Sequence, residues 1–162
     1  MLRRWYWNWI GSLLFRVSFH NWYGVRRVLL RLAGARVSSS FRARPTSLIL
    51  DPWGLVAGRE TAVGDRAVLD CTNGISLGDF VTISQHALLW TTSSPEVTGG
   101  PIRVENDGWV STEAFVGPGV VVGEGAILGA RSAARTSLAP WTIFGGDPAS
   151  ALKSRPRPRE LG

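Results

Sequence analysis

This chain of 162 residues contains two histidines, His20 and His86, to consider for proton transfer. Histidine is the side chain best suited to act as a general base near neutral pH. His20 falls in an aromatic N-terminal segment, where a surface position is the simplest interpretation. His86 is the fourth residue of a six-residue unit that begins at Ile83, and this position is expected to point outward. Two histidines are too few for a metal site built from several histidine ligands, so the sequence predicts no metal.

The cysteine content and the charge balance indicate the cellular compartment and the classes of partner that suit this chain. Cys71 is the only cysteine, which excludes an internal disulfide and fits a reducing compartment such as the cytoplasm. The chain has 18 Lys and Arg residues against 12 Asp and Glu, a formal net charge of +6. A basic balance suits nucleic acid, anionic lipid or a phosphorylated cofactor alike. Nucleic-acid binding has no other feature in its favour and ranks last.

Aliphatic residues recur every six positions through the middle of the chain. The repeated positions are Val104, Val110, Val116, Val122, Leu128 and Ala134, and upstream Ala57, Val63 and Leu69, then Leu77, Ile83 and Leu89. An α-helix repeats near 3.6 residues and a strand every two, so neither explains a period of six. The period indicates a parallel β-helix, in which each hexapeptide forms a short strand and a corner. We expect this mainly β domain to cover residues 37–152.

The six-residue phase breaks at about residues 90–103, which are rich in turn-forming residues. This segment is predicted to leave the β-helix as a loop. A loop held on a rigid repeat scaffold is a common place for functional residues.

The two ends of the chain differ in composition from the repeats. Residues 1–36 are aromatic and rich in arginine, and a helix begun by Asn21 and ended by Gly34 is predicted there. Its apolar face would comprise Val25, Val28, Leu29 and Leu32, with arginines on the other side. This segment could close the end of the β-helix, lie on a membrane surface, or do both. Residues 153–162 alternate Pro and Arg and are expected to form a flexible basic tail.

The repeats, the loop and the segment from Pro140 to Ala149 together resemble the hexapeptide-repeat acyltransferases. Within that family the chain is most similar to the colanic-acid-biosynthesis-type acetyltransferases, relatives of the maltose and galactoside O-acetyltransferases. The motifs that carry the resemblance are Ile83-Ser84-Gln85, Trp109-Val110, Val116-Gly117-Pro118-Gly119 and Leu128-Gly129-Ala130. The resemblance implies a left-handed β-helix, a homotrimer, and acetyl-CoA bound in a cleft. It further implies that a loop histidine deprotonates the acceptor hydroxyl.

The chain departs from the family in that loop. The family pattern is Thr-x-Ser-His-Asp or Thr-x-x-His-Pro, whereas this sequence has Thr91-Thr92-Ser93-Ser94-Pro95, so Ser94 stands where the histidine is expected. A serine hydroxyl cannot replace an imidazole as the base at pH 7. His86 is expected to point outward near the same cleft, although an outward histidine on a repeat wall is more often simply solvated. Three hypotheses follow: Glu96 or His86 acts as the base, the acceptor supplies its own, or the protein is catalytically silent.

The resemblance also implies the residues that contact the two substrates. Those matched to family contacts with acetyl-CoA are Thr112, Ala130, Arg135, Thr136 and Lys153. Asp147 occupies a position where the family usually has asparagine, which adds a negative charge near a polyanionic cofactor.

Three polar or aromatic residues are candidates for the acceptor side. Asp70, Asn73 and Trp90 could offer a sugar hydrogen-bond partners and an aromatic face. Asn73-Gly74 is equally a good turn sequence, and Asp70 an ordinary corner residue.

Two functions remain open from the sequence. The first is acetyl-CoA-dependent O-acetyl transfer to a hydroxyl of a sugar or exopolysaccharide precursor, in the cytoplasm, with the protein either free or at the inner face of the membrane. The second is a silent β-helix that scaffolds or binds a partner. Retained binding of CoA would distinguish them, because a scaffold has no need for it.

Overall fold

A computed structural model of the chain describes residues 2–93 and 98–157. Its short strands form three sheets, here called walls A, B and C, in which all pairs of strands are parallel except the last pair of wall B. Wall A contains β1 (Arg36–Val37), β4 (Leu55–Ala57), β7 (Ile75–Leu77), β10 (Ile102–Val104) and β13 (Val121–Val122). Wall C contains β3 (Leu48–Leu50), β6 (Val68–Asp70), β9 (Leu88–Trp90), β12 (Phe115–Val116) and β15 (Ala133–Ala134).

Wall B is the longest sheet because it includes the last two strands of the fold. Its strands are β2 (Arg42–Ala43), β5 (Ala62–Val63), β8 (Thr82–Ile83), β11 (Trp109–Val110), β14 (Ile127–Leu128), β16 (Thr142–Gly145) and β17 (Ser150–Ser154). Through most of the chain, each strand is followed by one in the next wall, and strands one coil apart pair in parallel. Residues about 20 apart in sequence therefore become neighbours, as in the pairing of Asp70 with Trp90.

The six-residue column fills the interior of the β-helix. All twelve repeated positions from Ala57 to Ala134 are buried, with at most 4% of each side chain exposed. Small residues at the corners, such as Ala114, Ala126 and Ser132, are buried beside them. The prediction of a mainly β, parallel β-helix from the period of six is confirmed.

Three edges run along the β-helix where the walls meet, called the A–B, B–C and C–A edges. At the B–C edge the chain turns through a residue in the left-handed region of backbone conformation, with φ between 55° and 59° at Arg66, His86, Glu113 and Arg131. The outward position predicted for His86 is confirmed, since its side chain is exposed at this edge. At the C–A edge of the first coil a 3₁₀ turn, Pro52–Gly54, closes the corner.

Helices over residues 2–33, here called the cap, cover the first coil. They are α1 (Leu2–Tyr6), a π-helical turn (Trp7–Gly11), α2 (Ser12–Val17) and α3 (Tyr23–Leu32). Trp7, Gly11 and Phe15 recur every four residues and form the buried stripe of the first three elements. The indole Nε1 of Trp7 donates to the carbonyl oxygen of Ile49 at 3.0 Å, which fixes the cap to wall C.

The face that α3 buries differs from the predicted one. Val25, Val28 and Leu32 are 44–61% exposed, whereas Arg26 is 1% exposed and Leu30 is fully buried. The predicted apolar face was therefore wrong, apart from Leu29, which is buried.

The burial of Arg26 has a clear physical reason. Its guanidinium donates to the carbonyl oxygens of Ala43, Phe19 and His20 and to the hydroxyl of Ser18, at 2.7–2.9 Å. These acceptors replace the water that the buried cation loses, and they join three segments of the chain.

The ends of α3 also test the prediction. The helix begins at Tyr23 without a side-chain hydrogen bond at its N-terminus, so the expected cap by Asn21 was wrong. It ends where predicted, because Gly34 adopts a positive φ of 101° that other residues rarely take.

The C-terminal segment begins later than the expected tail. Lys153 and Ser154 belong to β17, which pairs antiparallel with β16, so the boundary predicted at residue 153 falls inside a strand. Arg155 then donates to the carbonyl oxygens of Asp107 and Gly125, which holds the chain against the A–B edge. Residues 158–162 lie outside the described residues.

Within residues 2–93 and 98–157, no helix combines the length and the apolar character needed to span a bilayer.

Candidate functional site

The predicted loop leaves the β-helix at the C–A edge of the third coil. It follows β9 and returns at β10, so it spans residues 91–101, slightly less than the expected 90–103. The amide of Gly100 donates to the carbonyl oxygen of Thr91 at 3.0 Å, which brings the two ends of the loop together. Gly99 lies against this closure, because a Cβ there would come within 2.8 Å of the Asn73 side chain. The root of the loop is therefore tightly packed.

Asp70 lies beneath the loop root and is 2% exposed. One carboxylate oxygen accepts hydrogen bonds from the amides of Thr91 and Thr92, at 3.1 and 2.9 Å. The other accepts from the amide and the hydroxyl of Thr72, at 3.2 and 2.6 Å. Both oxygens are thus occupied, and this geometry favours a positioning role over the acceptor contact expected for Asp70.

The protonation state of Asp70 follows from the same contacts. Burial alone would raise the pKa of its carboxyl group, but the hydrogen bonds from Thr72 and Thr92 outweigh burial and hold the pKa below its usual value. The neighbouring Cys71 is fully buried, and burial raises the pKa of its thiol. Asp70 is therefore ionised at neutral pH, whereas Cys71 is a neutral thiol with no access to substrate.

Asn73 and Trp90 flank the same root. The Asn73 side chain donates to the carbonyl oxygen of Thr91 at 2.8 Å, and its amide donates to the Thr91 hydroxyl at 3.0 Å. Trp90 ends β9 and is 37% exposed. Of the three expected acceptor residues, Asn73 and Trp90 are therefore exposed beside the loop, whereas Asp70 is buried and its carboxylate bonds within the chain.

Of the three residues expected at the catalytic position, Ser94, Glu96 and His86, His86 alone falls within the described residues. Ser94 and Glu96 lie outside them. His86 is exposed at the B–C edge, whereas the loop departs from the C–A edge. The strand between them implies a separation on the order of 15 Å at about 3.3 Å per residue. Within one chain, His86 is not beside the loop root.

The residues matched to acetyl-CoA contacts lie on the last coils. Thr112 and Ala130 stack on the B–C edge, where the amide of Arg131 donates to the carbonyl oxygen of Thr112 at 3.0 Å. Arg135 and Thr136 follow β15 at the C–A edge, and both are exposed. Lys153 is exposed on β17. The structure thus places Thr112 beside Ala130 and Arg135 beside Thr136, with Lys153 on the terminal strand of wall B.

Arg135 is already paired with the residue that departs from the family pattern. Its guanidinium contacts the Asp147 carboxylate through two hydrogen bonds, at 3.0 and 3.3 Å. The hydrogen bond to Asp147 also raises the pKa of Arg135. About half of each side chain remains exposed to water. The added aspartate therefore neutralises one of the cations that could meet the phosphates of CoA.

Thr91 also belongs to this site, although the loop motif that contains it predicts no role for it. It is fully buried, and its hydroxyl donates to the Asp70 carbonyl oxygen at 2.8 Å. The separation of 21 residues between Asp70 and Thr91 is close to one coil, and that spacing is the signal that could have found the pair.

Substitution of Asp70 by asparagine tests the fixing of the loop. Asp70→Asn keeps the size of the side chain but sets an NH₂ group against hydrogen-bond donors, so we expect a loss of about 1–3 kcal/mol in the free energy of unfolding. Urea denaturation measures this loss. Hydrogen exchange should show faster exchange at the amides of Thr91 and Thr92.

Asp65→Asn is the matched control. Asp65 lies at the B–C edge in a half-exposed ion pair with Arg44, and such pairs contribute about 0–1 kcal/mol. Equal losses in the two variants, with unchanged exchange at the loop root, would contradict the role assigned to Asp70.

Comparison with known proteins places this site in a family. No protein-family model matches the chain. The chain is 33% identical over 155 residues to a colanic acid biosynthesis acetyltransferase, WcaF, of Escherichia coli (strain K12), covering 92% of this chain and 85% of that protein.

Two solved structures extend the comparison to the fold. A maltose O-acetyltransferase of Clostridium difficile 630 superposes with a TM-score of 0.82 at 18% identity, covering 96% of this chain and 88% of that one. A hexapeptide-repeat acetyltransferase of Vibrio cholerae O1 biovar eltor, VCA0836 in complex with acetyl coenzyme A, superposes with a TM-score of 0.74 at 22% identity, covering 96% and 88%. These likenesses confirm the left-handed β-helix. With the sequence relationship to WcaF, they establish that the chain belongs to the colanic-acid-biosynthesis-type acetyltransferases of the hexapeptide-repeat family.

Proposed function

We propose that this protein transfers an acetyl group from acetyl-CoA to a hydroxyl of a sugar or exopolysaccharide precursor. The observation that carries the proposal is the relationship to WcaF, a colanic acid biosynthesis acetyltransferase, over 92% of the chain. The alternative of a silent scaffold has in its favour only the missing loop histidine. The exposed edges that carry Thr112, Ala130, Arg135 and Thr136 favour the enzyme, because a scaffold needs no cofactor surface.

The reaction requires one proton to move and one bond to be exchanged. The acceptor oxygen attacks the thioester carbonyl of acetyl-CoA, and the carbon–sulfur bond breaks to release CoA as a thiol. The hydroxyl proton is taken by a base during attack, because an alcohol is a poor nucleophile until it is deprotonated. A backbone amide at the cleft would hold the negative oxygen of the tetrahedral intermediate.

Two residues of this chain are the proposed alternatives for the base, Glu96 and His86, because Ser94 occupies the position of the family histidine. Glu96 is in the loop itself, two residues beyond Ser94. His86 is at the opposite edge of wall C from the loop root. It would therefore act as the base in a site formed with the loop of a neighbouring subunit, and not with the loop of its own chain. A base contributed by the acceptor is the third arrangement.

The cofactor would bind along the last coils. Thr112 and Ala130 offer a shallow corner for the pantetheine arm, because the small side chain of Ala130 leaves the edge open. Arg135 and Lys153 would contact the phosphates as cations, and Thr136 would offer a hydroxyl beside them. Bound acetyl-CoA supplies the activated acetyl group.

We also propose that the protein acts as a homotrimer in the cytoplasm, at the inner face of the membrane. The homotrimer would bring a loop of one subunit to the B–C edge of another. The single cysteine suits a reducing compartment, and the cap would make the membrane contact.

Calorimetric titration with acetyl-CoA tests the proposed function most simply. We expect saturable binding, followed by release of CoA thiol when a panel of sugars is added to the same preparation. Ala130→Glu should abolish binding, because it places a bulky anion at the corner expected to meet the pantetheine arm.

Ser39→Glu, at an exposed position on the A–B edge of the first coil, is the control and should bind normally. Absence of acetyl-CoA binding in the parent protein would overturn the enzyme proposal in favour of a scaffold.

The pairing of Arg135 with Asp147 gives a separate prediction about the cofactor. Asp147→Asn removes the negative charge and releases Arg135, so the dissociation constant of CoA should fall about two- to fivefold at low salt. The gain should shrink as salt screens the exposed charges. Titrations of CoA at two salt concentrations measure both effects.

Two further variants make that result specific. Glu60→Gln, on the A–B edge, removes a similarly exposed partner from Arg42 and should leave CoA affinity unchanged. In an Arg135→Gln background, Asp147→Asn should lose its benefit. A benefit that survives there would contradict the proposed contact between Arg135 and CoA.

A further inference from the structure

The cap leaves an unusual amount of apolar surface exposed. Most of the large hydrophobic side chains that are exposed in the described residues belong to it: Leu2, Trp5, Trp9, Ile10, Leu13, Leu14, Val17, Phe19, Trp22, Val25, Val28 and Leu32. In the rest of that part of the chain the same class comprises Phe80, Trp90, Trp109 and Leu152. Exposed apolar side chains concentrated in one part of a molecule in this way indicate an interaction site.

These residues lie on the outer faces of the cap helices. Trp9, Leu13 and Val17 recur every four residues, as do the buried Trp7, Gly11 and Phe15, but on the opposite side. On α3, the burial of Arg26 turns Val25, Val28 and Leu32 outward. The inner faces contact the first coil, so the apolar faces are directed away from the β-helix.

The charged side chains of the N-terminal region are all basic. Residues 1–50 contain nine arginines and no Asp or Glu, whereas residues 51–162 contain nine basic and all 12 acidic residues. Within the described residues, every ion pair of the chain involves Arg42 or a later basic residue. Arg3, Arg4 and Arg16 of the cap are exposed, and the Arg4 guanidinium also lies over the Trp53 ring at 5.9 Å. The cap therefore combines exposed apolar side chains with positive charge that no acidic neighbour neutralises.

We propose that this outer face of the cap is a docking surface for a bilayer of anionic phospholipid. Tryptophan is favoured at the headgroup level, aliphatic side chains enter the acyl boundary, and arginine contacts anionic headgroups. A second copy of the chain is a poorer occupant, because it would bring the exposed arginines of one cap, Arg3, Arg4 and Arg16, against those of the other. Nucleic acid would meet the charge but leave the aliphatic side chains exposed to water.

The docked orientation follows from the position of the cap on the first coil. The helices would lie in the plane of the interface, and the coils would stack away from the bilayer. The loop root is in the third coil, about 10 Å beyond the first at roughly 4.8 Å per coil. The docking surface deepens the proposed membrane position and rests on that part of the proposed function.

Vesicle sedimentation of the full chain tests the docking surface. We expect binding to phosphatidylcholine vesicles that contain about 30% phosphatidylglycerol, and much weaker binding to phosphatidylcholine alone. The triple variant Trp9→Gln, Leu13→Gln, Val17→Gln should weaken binding at least about tenfold, since it removes apolar area from the interface. The double variant Phe80→Asn, Leu152→Gln changes equally exposed apolar residues outside the cap and should bind as the parent does.

A second pair of variants tests the charge. Arg3→Gln with Arg16→Gln should weaken binding about 25-fold, at about fivefold for each arginine near the surface. Arg59→Gln with Arg66→Gln makes the same change of net charge on the exposed edges of the β-helix and should have little effect.

Three results would overturn the docking surface. The first is no binding to anionic vesicles, and the second is equal binding to neutral vesicles. The third is a lower molecular mass of the triple variant than of the parent, measured by analytical ultracentrifugation without vesicles, which would assign the surface to contacts between copies of the chain. Acetyl-CoA binding, measured without vesicles, should be unchanged in the triple variant. Loss of acetyl-CoA binding in the parent, with vesicle binding intact, would remove the enzyme proposal and leave the docking surface standing.

Discussion

The parallel backbone ladder between coils is the constraint on which the rest of the structure depends. Each coil must present an inward aliphatic residue every six positions and pair with the coils above and below it. Extra residues cannot be accommodated inside this stack, so an insertion has to leave at a corner, as residues 91–101 do. The ladder also makes neighbours of residues about one coil apart. Asp70 reaches the amides of Thr91 and Thr92 for this reason.

The sequence was most informative where structure follows from periodicity. The inward column and the place of the loop could both be predicted, because each depends on the spacing of a few residue types along the chain. The buried face of α3 could not. Its orientation depends on carbonyl oxygens from two other segments, at Phe19 and His20 and at Ala43, and no local sequence pattern predicts these contacts with Arg26. Helical periodicity predicted that the apolar residues form the inner face of α3. The hydrogen bonds of the buried Arg26 guanidinium determine instead which face is buried.

The candidate site shows the same division between local and non-local information. Motifs identified Thr112, Ala130 and Arg135, but not that Arg135 pairs with Asp147 or that Asp70 is buried under the loop. His86 looked close to the loop in sequence, since four residues separate it from Thr91. Wall C lies between them in space, because those residues form a strand and not a turn. A separation in sequence therefore gives a distance in space only when the secondary structure between the two residues is known.

The replacement of the family histidine by Ser94 is the point on which the enzymatic account is most directly tested. Measurement of CoA thiol release by Ser94→His, with Ser93→His as the neighbouring control, would show whether the loop is where the acceptor proton is removed. A restored general base should raise the rate of acetyl transfer by about 10²-fold or more, and the control should not gain. A variant that binds acetyl-CoA yet transfers no faster than the parent would contradict the account, because position 94 would then not be a place from which a base can take the acceptor proton.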